Sequence, residues 1–431
     1  MTPTAYVAPW AFAGGLLRRD VRIDVGADGC VTSLGGANDE GEATLRRSFG
    51  NALVLPGLVN AHSHAFQRSI RGQTHQRMSG ENSFWSWRKA MYEAAGALDP
   101  DALYTITKAA FSEMLRSGIT HVGEFHYVHH QADGTVYDDP NELSWSVVRA
   151  ARDVGIRLTL LEVFYARAGA GRPPLPEQRR FCDGSVDKYL QRVDALRTAG
   201  VDVGITPHSI RAASAPEIRA LVAYAQAHDL VVHTHLSEQP RENEECLAEH
   251  GTTPAGVFEL CGALERPHTF TAVHATHLRD DDFERLGTQS VCACPSTEAD
   301  LGDGILNAAR LQAAGTALAL GSDSNAVIDL IQEARFLEMH DRLSQRARCR
   351  LNDESGALGP VLATAATFGG AQALGSTTGA LRVGDPFDAV VIDLEHPFFA
   401  HVPPEHALDA LFSAGTAAAV RQVVVGGREM L

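Results

Sequence analysis

The sequence predicts an α/β protein, a (β/α)8 barrel accompanied by a small β-sandwich built from both termini. Three observations lead to this fold class. Short apolar runs alternate eight times with helix-like segments, and histidine, glutamate or aspartate side chains follow several of these runs. Both ends of the chain have the pattern of separate short strands. In a parallel barrel the carboxyl ends of all strands converge on one mouth, so side chains far apart in the sequence meet there.

The predicted barrel strands are short apolar and β-branched runs bounded by turn residues. They span about residues 53–61, 119–126, 156–164, 201–207, 230–236, 269–275, 289–294 and 316–322. Segments between them, such as 143–153, 187–198, 215–228 and 253–260, have helical periodicity. Each is long enough to bring the chain back for the next parallel strand.

The two ends of the chain predict a second unit. Residues 21–25 alternate apolar and charged side chains, 26–29 form a turn, and 30–34 continue as a strand. Residues 384–393 and 419–426 are strand-like as well. We expect residues 1–52 and 378–431 to form one split β-sandwich beside a catalytic barrel of residues 53–377.

The composition limits the classes of partner. The 431 residues include 37 Lys and Arg against 53 Asp and Glu, a net charge of −16 that argues against nucleic acid and membranes as partners. An anionic small-molecule substrate must therefore meet a few local arginines. The seven cysteines show no Cys-x-x-Cys spacing, and no segment resembles a signal peptide, so we expect a cytoplasmic protein with reduced thiols.

Four side chains at predicted strand ends form a candidate metal site. His62 and His64 lie on one face of the first strand because alternate strand residues share a face. His235 ends the fifth strand and Asp323 follows the eighth. Three imidazoles and one carboxylate suit zinc, with ferrous iron as the alternative. The third and fourth strands contain no lysine that could be carbamylated to bridge two ions, so we expect one divalent metal per chain.

The fifth strand offers two histidines on the same face, and one must be chosen. We predict that His235 is the ligand because Glu238 follows it, where a proton shuttle would stand, and we place His233 in the barrel interior. His208 after the fourth strand and His274 after the sixth are expected at the same mouth.

These residues resemble the mononuclear deaminases of the amidohydrolase superfamily, and longer motifs resemble its formimidoylglutamate deiminase family. The resemblance covers nearly the whole chain. Its motifs are Asn60-Ala-His-Ser-His-Ala-Phe-Gln-Arg68, Ser83-Phe-Trp-Ser-Trp-Arg88, His121-Val-Gly-Glu-Phe-His-Tyr-Val-His-His130, Thr206-Pro-His-Ser209 and Cys294-Pro-Ser-Thr-Glu-Ala-Asp-Leu-Gly-Asp-Gly304. Asp300 stands where the family pattern has Asn.

The resemblance implies hydrolysis of N-formimino-L-glutamate to N-formyl-L-glutamate and ammonia, a step of histidine degradation, by a homodimeric zinc enzyme. Asp323 would take a proton from water, Glu238 would carry a proton to the departing nitrogen, and His274 would orient the nucleophile or steady the tetrahedral intermediate. The side chains implied to bind the substrate and its two carboxylates are Gln67, Arg88, Tyr127, His208 and Arg211.

Two other functions fit parts of the pattern. A mononuclear deaminase acting on a nucleobase, nucleoside or triazine would share the metal site and differ only in the pocket. A non-catalytic barrel is the third hypothesis. It is disfavoured because every predicted metal-ligand position holds a side chain that can bind a metal, and every predicted proton-transfer position holds one that can carry a proton. Arg88 also has an alternative interpretation as a surface arginine stacked on Trp85 or Trp87.

Overall fold

A computed structural model describes residues 1–39, 41, 43–75 and 83–430, which form two β-sheets. The strands are β1 (Thr4–Ala13), β2 (Leu16–Val25), β3 (Val31–Gly36), β4 (Leu45–Ser48), β5 (Ala52–Pro56), β6 (Leu58–Ser63), β7 (Ile119–His126), β8 (Arg157–Phe164), β9 (Val203–Pro207), β10 (Val232–Leu236), β11 (Phe270–His274), β12 (Ser290–Ala293), β13 (Ala317–Leu320), β14 (Ala389–Asp393), β15 (Val420–Val425) and β16 (Arg428–Glu429).

Helices follow most of the barrel strands. They are α1 (Phe84–Gly96), α2 (Pro100–Arg116), α3 (Glu142–Val154), α4 (Val186–Thr198), α5 (Ala215–Ala227), α6 (Pro240–His250), α7 (Pro254–Leu260), α8 (Asp280–Arg285), α9 (Pro295–Leu301), α10 (Ala308–Ala314), α11 (Leu330–Gln345), α12 (Gly359–Thr364), α13 (Gly370–Ala373) and α14 (Ala407–Ala414). Capping residues explain where several begin. Asp99 accepts a hydrogen bond from the Ala102 amide at the start of α2, and Asp329 accepts from the Ile331 amide at the start of α11.

The predicted barrel is confirmed. Strands β6 to β13 form one parallel eight-stranded sheet in chain order. The sheet closes at its carboxyl end, where Ser63 and Asp323 form a parallel bridge. The His64 amide donates to the Asp323 carbonyl at 2.8 Å, and the Asp323 amide donates to the His62 carbonyl at 3.0 Å. Barrel closure therefore brings together the ends of the first and last barrel strands.

Both termini build the second sheet, as predicted. Its strand order is β16-β15-β14-β5-β1-β2-β3, with β4 paired to β1, so β14 from the C-terminal part lies directly beside β5 from the N-terminal part. The core of this unit is apolar and partly aromatic. Tyr6 packs on Phe49 and Phe387 at ring-centroid distances of 5.1 and 5.0 Å.

The first predicted barrel strand, residues 53–61, is wrong as a single element. It is two strands, because β5 belongs to the terminal sheet and only β6 enters the barrel. The change occurs at Gly57, whose amide donates to the Asp388 carbonyl, while the Leu58 amide donates to the Gly118 carbonyl. A Cβ at Gly57 would lie 2.1 Å from Thr120 Oγ1, so the close crossing requires glycine. The division into two domains at residues 52 and 378 stays a prediction.

A buried ion cluster fastens α4 to the barrel. Arg192 donates to both carboxylate oxygens of Asp183, at 2.6 and 2.8 Å, and also to Glu162. His129 Nδ1 lies 3.3 Å from the same Glu162 carboxylate. Burial raises the pKa of Glu162 although the Arg192 charge opposes that rise. A single guanidinium therefore hydrogen-bonds both buried carboxylates and sets one positive charge against them.

Replacing Arg192 with Leu is expected to lower the free energy of unfolding by about 3–5 kcal/mol, because two buried carboxylates lose their counter-ion. Urea denaturation measures the change. Arg197→Leu on the same helix is the matched control, since its partner Asp194 is half exposed and such pairs contribute about 1 kcal/mol or less. Equal losses in the two variants would contradict the cluster's assigned role.

Within the described part of the chain, no helix combines the length and the apolarity needed to cross a membrane.

Candidate metal centre and active site

Candidate ligands converge at the carboxyl end of the barrel. His62 lies in β6, His64 directly follows it, and His235 lies in β10. Asp323 follows β13 and is held at the barrel seam by the backbone bonds described above. The structure thus brings together the four ligands predicted from the sequence, from three different strands.

The donor atoms of this group lie at the spacing of a coordination shell. His235 Nε2 is 3.3 Å from His62 Nε2 and 3.4 Å from His64 Nε2. Asp323 Oδ1 is 3.5 Å from His62 Nε2 and 3.3 Å from His64 Nε2. Zinc bonds of about 2.0–2.1 Å in a tetrahedron place neighbouring donors about 3.3 Å apart. The distances therefore fit one small divalent cation.

The protonation of the imidazoles fits the same cation. Burial lowers the pKa of His62 and His235 well below its usual value, and it lowers the pKa of His64 to about 3. Neutral imidazole is the form that binds metals. His64 Nδ1 donates to the Phe125 carbonyl at 2.9 Å, which leaves a lone pair on Nε2 directed at the other donors.

His233, the rejected alternative, lies away from this group. It shares the barrel-facing side of β10 with His235 but sits two residues closer to the start of the strand. Its Nε2 bonds the Ala373 carbonyl at 2.6 Å, and its side chain is buried. The imidazole therefore has a backbone partner inside the barrel.

His274 lies among carboxylates. Its Nε2 is 3.7 Å from Asp323 Oδ2 and 3.9 Å from Glu238 Oε1, and its Nδ1 is 3.4 Å from Glu298. Burial lowers the pKa of His274, but the bond to Glu298 and the charges of Glu238 and Asp323 together raise it to about 10. His274 and Asp323 both have left-handed backbone, with φ of 69° and 44°, a strain that clusters at functional sites.

Glu238 is held in place from two sides. Arg211 Nη2 donates to Glu238 Oε2 at 2.5 Å, and Arg211 Nε lies 3.7 Å from Glu242. The buried Glu242 also accepts the backbone amides of Ser237 and Glu238, both at 3.2 Å. The Glu238 carboxylate is therefore fixed beside His274, and Arg211 is partly committed to it.

One cavity opens onto these groups. It occupies about 880 Å³, including its open mouth. The predicted catalytic side chains Glu238, His274 and Asp323 line it. All five side chains predicted to bind substrate line it too, namely Gln67, Arg88, Tyr127, His208 and Arg211.

Gln67 and Tyr127 are joined by a hydrogen bond at the cavity wall. Gln67 Nε2 donates to Tyr127 Oη at 3.0 Å, and the Tyr127 hydroxyl donates to Met91 Sδ at 3.4 Å. The other amide atom, Gln67 Oε1, is buried without a hydrogen-bond partner. Such an acceptor suits a substrate that carries N–H donors.

Arg88 is stacked and also lines the cavity. Its guanidinium lies 4.5 Å from the Trp85 ring centroid and 5.6 Å from that of Tyr92. Arg88 therefore stacks on Trp85, as one interpretation of the sequence had it, but it is not a remote surface residue because its side chain also lines the cavity. A guanidinium held flat by aromatic rings keeps its N–H edge available for a carboxylate.

A comparison with protein families matches residues 53–430 to the amidohydrolase family. The chain belongs to this family. The amidohydrolase is 40% identical over 420 residues to the formimidoylglutamate deiminase of Pseudomonas aeruginosa, an alignment that covers 95% of this chain and 90% of that one. It is 29% identical to a 5-methylthioadenosine/S-adenosylhomocysteine deaminase of Syntrophobacter fumaroxidans, over 94% of this chain and 88% of that one.

Among solved structures, this amidohydrolase resembles a crystal structure of an amidohydrolase from Brucella melitensis. The TM-score is 0.90 and the sequences are 34% identical, with 99% of this chain and 94% of that chain covered. The correspondence extends through both sheets because almost the whole of each chain is aligned.

Sequence reasoning missed several residues of this amidohydrolase site. Glu298 and Glu242 hold His274 and Arg211 in place. The only signal for Glu298 was its place inside the motif that begins at Cys294. Tyr165, which follows β8, and Arg172 in the loop after it also line the cavity. Tyr165 could have been found, because it occupies a strand-end position like those of the predicted residues.

Proposed function

We propose that this amidohydrolase hydrolyses the formimino group of N-formimino-L-glutamate, giving N-formyl-L-glutamate and ammonia, a step of histidine degradation. The observation that carries the proposal is the cavity, whose lining contains His64, His235 and Asp323 of the donor set together with Arg88 and Arg211. Such a cavity in a chain of net charge −16 suits a small substrate that pairs a reactive amidine with carboxylates. The 40% identity to a formimidoylglutamate deiminase supports the same substrate.

The metal proposed for this site is one zinc ion per chain, held by His62, His64, His235 and Asp323, with ferrous iron as the alternative. Neutral imidazoles and one carboxylate are a donor set that both ions accept. When bound, the ion supplies Lewis acidity and makes a hydroxide nucleophile available near neutral pH.

The side chains of the site supply the proton transfers of the reaction. Asp323 accepts the proton of the attacking water, whose oxygen adds to the formimino carbon. Glu238 delivers a proton to the nitrogen that leaves as ammonia, because its carboxylate is fixed at the cavity wall beside His274. His274 donates to the developing oxyanion, and Gln67 Oε1 accepts an N–H of the formimino group.

Arg88 is proposed to pair with a substrate carboxylate, together with Arg211, Tyr127 and His208. Arg88→Met is expected to lower kcat/KM for N-formimino-L-glutamate by about 10- to 100-fold, because a hydrogen bond to a charged group contributes about 1.5–3 kcal/mol. Steady-state kinetics measures the loss. Arg68→Met serves as the control, since Arg68 pairs with Glu113 at 2.8 Å outside the cavity. Unchanged kinetics in the Arg88 variant would reject its assignment.

Ammonia release by the zinc-loaded protein tests the proposed reaction. The substrates are N-formimino-L-glutamate, guanine, adenosine and cytosine, each at the same concentration. Turnover of N-formimino-L-glutamate alone is the expected result. Turnover of a heterocycle alone would overturn the substrate and favour the nucleobase or nucleoside alternative, one relative of which is the 5-methylthioadenosine/S-adenosylhomocysteine deaminase at 29% identity. The proposed homodimeric state rests on the family resemblance, and light scattering tests it. The proposed cytoplasmic location rests on the cysteine pattern, which suits reduced thiols.

A further inference from the structure

A buried glutamine links two tyrosines at the cavity wall. Gln178 lies in the short 3-10 helix Pro176–Phe181 and is 1% exposed. Its Nε2 donates to Tyr165 Oη at 2.7 Å and to Tyr92 Oη at 2.9 Å. Both tyrosines line the cavity, whereas Gln178 itself stands behind them.

The orientation of the Gln178 amide is set by the backbone. The Leu175 amide donates to Gln178 Oε1 at 2.8 Å, so Oε1 must face the backbone and Nε2 must face the tyrosines. Both N–H groups of Nε2 are then donors, and both phenol oxygens act as acceptors. Neither hydroxyl can donate its own hydrogen to Gln178.

The hydroxyl hydrogens must therefore find other acceptors. Without a ligand, Tyr165 can donate to the adjacent Tyr92 oxygen. A carboxylate in the cavity is a stronger acceptor, so it can take this hydrogen as well as that of Tyr92. Burial raises the pKa of Tyr165 well above its usual value, so the phenol keeps its proton at neutral pH. Because both tyrosines line the cavity, a ligand there can accept from them.

A chain of ring contacts runs from the metal ligand His235 through His208 to Tyr165. The His208 ring packs on His235 at a centroid distance of 4.7 Å and on Tyr165 at 4.9 Å. The Arg88 guanidinium lies over Tyr92. The hydroxyls of Tyr92 and Tyr165 and the guanidinium of Arg88 thus lie close together next to His208. This combination suits a carboxylate at the end of the substrate away from the reacting carbon.

We propose that the hydroxyls of Tyr92 and Tyr165 bind the side-chain carboxylate of the substrate, and that Gln178 is the positioning residue that turns both hydroxyls toward it. The inference rests on the proposed function, because it assigns one of the two carboxylates of N-formimino-L-glutamate. Tyr92 and Tyr165 would then select substrates by the distal carboxylate, while the α-carboxylate is bound closer to the metal ligands.

The first test pairs tyrosine variants with two substrates. Tyr92→Phe and Tyr165→Phe are each expected to raise KM for N-formimino-L-glutamate by about tenfold or more, with kcat changed less than about threefold. N-formimino-L-norvaline keeps the α-carboxylate but lacks the distal one, so neither variant should weaken its kcat/KM further. Equal losses on both substrates would overturn the proposal. Tyr104→Phe, which removes a surface hydroxyl bonded to Asp153, is the control.

The second test reverses the polarity of the positioning residue. Gln178→Glu keeps an acceptor for the Leu175 amide but replaces the two N–H donors with an acceptor, so both hydroxyls turn toward it and away from the cavity. KM for N-formimino-L-glutamate is expected to rise by more than about tenfold at nearly constant kcat. A loss confined to kcat would contradict a positioning role.

Binding of glutarate separates this inference from the proposed reaction. Glutarate has the two carboxylates of the substrate without its formimino group, and calorimetry measures its Kd in the zinc-loaded protein. The double variant Tyr92→Phe with Tyr165→Phe is expected to bind glutarate at least about tenfold more weakly. If the protein does not turn over N-formimino-L-glutamate but shows this loss, the carboxylate subsite stands and the reaction fails. If turnover is normal and glutarate binding is unchanged, the subsite fails alone.

Discussion

Replacing Glu238 with Gln is expected to lower kcat for N-formimino-L-glutamate by about 10²- to 10⁴-fold while the bound metal is retained. The amide keeps the shape of the side chain but cannot carry a proton to the leaving nitrogen. The backbone amides of Ser237 and Glu238 remain bonded to Glu242, so the variant side chain should keep its place. Steady-state kinetics and metal analysis of the same preparation measure the two quantities.

Glu249→Gln is the matched control for this substitution. Glu249 pairs with Arg167 at 2.6 Å much as Glu238 pairs with Arg211, but it lies outside the lining of the cavity. Its variant should keep kcat within about twofold of the parent, because a partly exposed ion pair contributes little. Full activity in the Glu238 variant would remove Glu238 from the proton transfers.

The strand-end residues could be predicted because backbone geometry determines where they lie. Alternate residues of a strand share a face, and the carboxyl ends of parallel strands meet, so spacing places His62 and His64 beside the histidines of the fifth strand. The position of Glu238 then favoured His235 over His233. The same reasoning placed Asp323 at the mouth. No knowledge of side-chain packing was needed for any of these residues.

Residues that act through other side chains could not be predicted in this way. Glu242 reaches Arg211 across about thirty positions of sequence, and Gln178 reaches Tyr92 across an even longer interval. No periodicity records such pairs, because helix and loop packing determines them. The split of the first strand at Gly57 was hidden for a related reason: the apolar run continues through both strands, since both are buried.

Replacing His235 with Asn is expected to reduce metal affinity by more than about 100-fold. Replacing a residue that only hydrogen-bonds to a metal ligand already lowers metal affinity by about 10- to 100-fold, and His235 is itself a proposed ligand. Deimination should fall below detection, since the variant loses the Nε2 that lies 3.3 Å from His62 Nε2 and 3.4 Å from His64 Nε2. Metal content after dialysis, measured by plasma mass spectrometry, gives the first result, and ammonia release gives the second.

His233→Asn makes this experiment a test of the choice between two neighbouring histidines. His233 lies on the same face of the same strand and is equally buried, but its partner is the Ala373 carbonyl. Its variant should retain one metal per chain and lose only stability, by about 1–3 kcal/mol for a buried acceptor left unpaired. Metal loss in the His233 variant, with metal retained in the His235 variant, would reverse the assignment. Loss of metal in both would show that the packing of β10, and not one ligand, holds the site together.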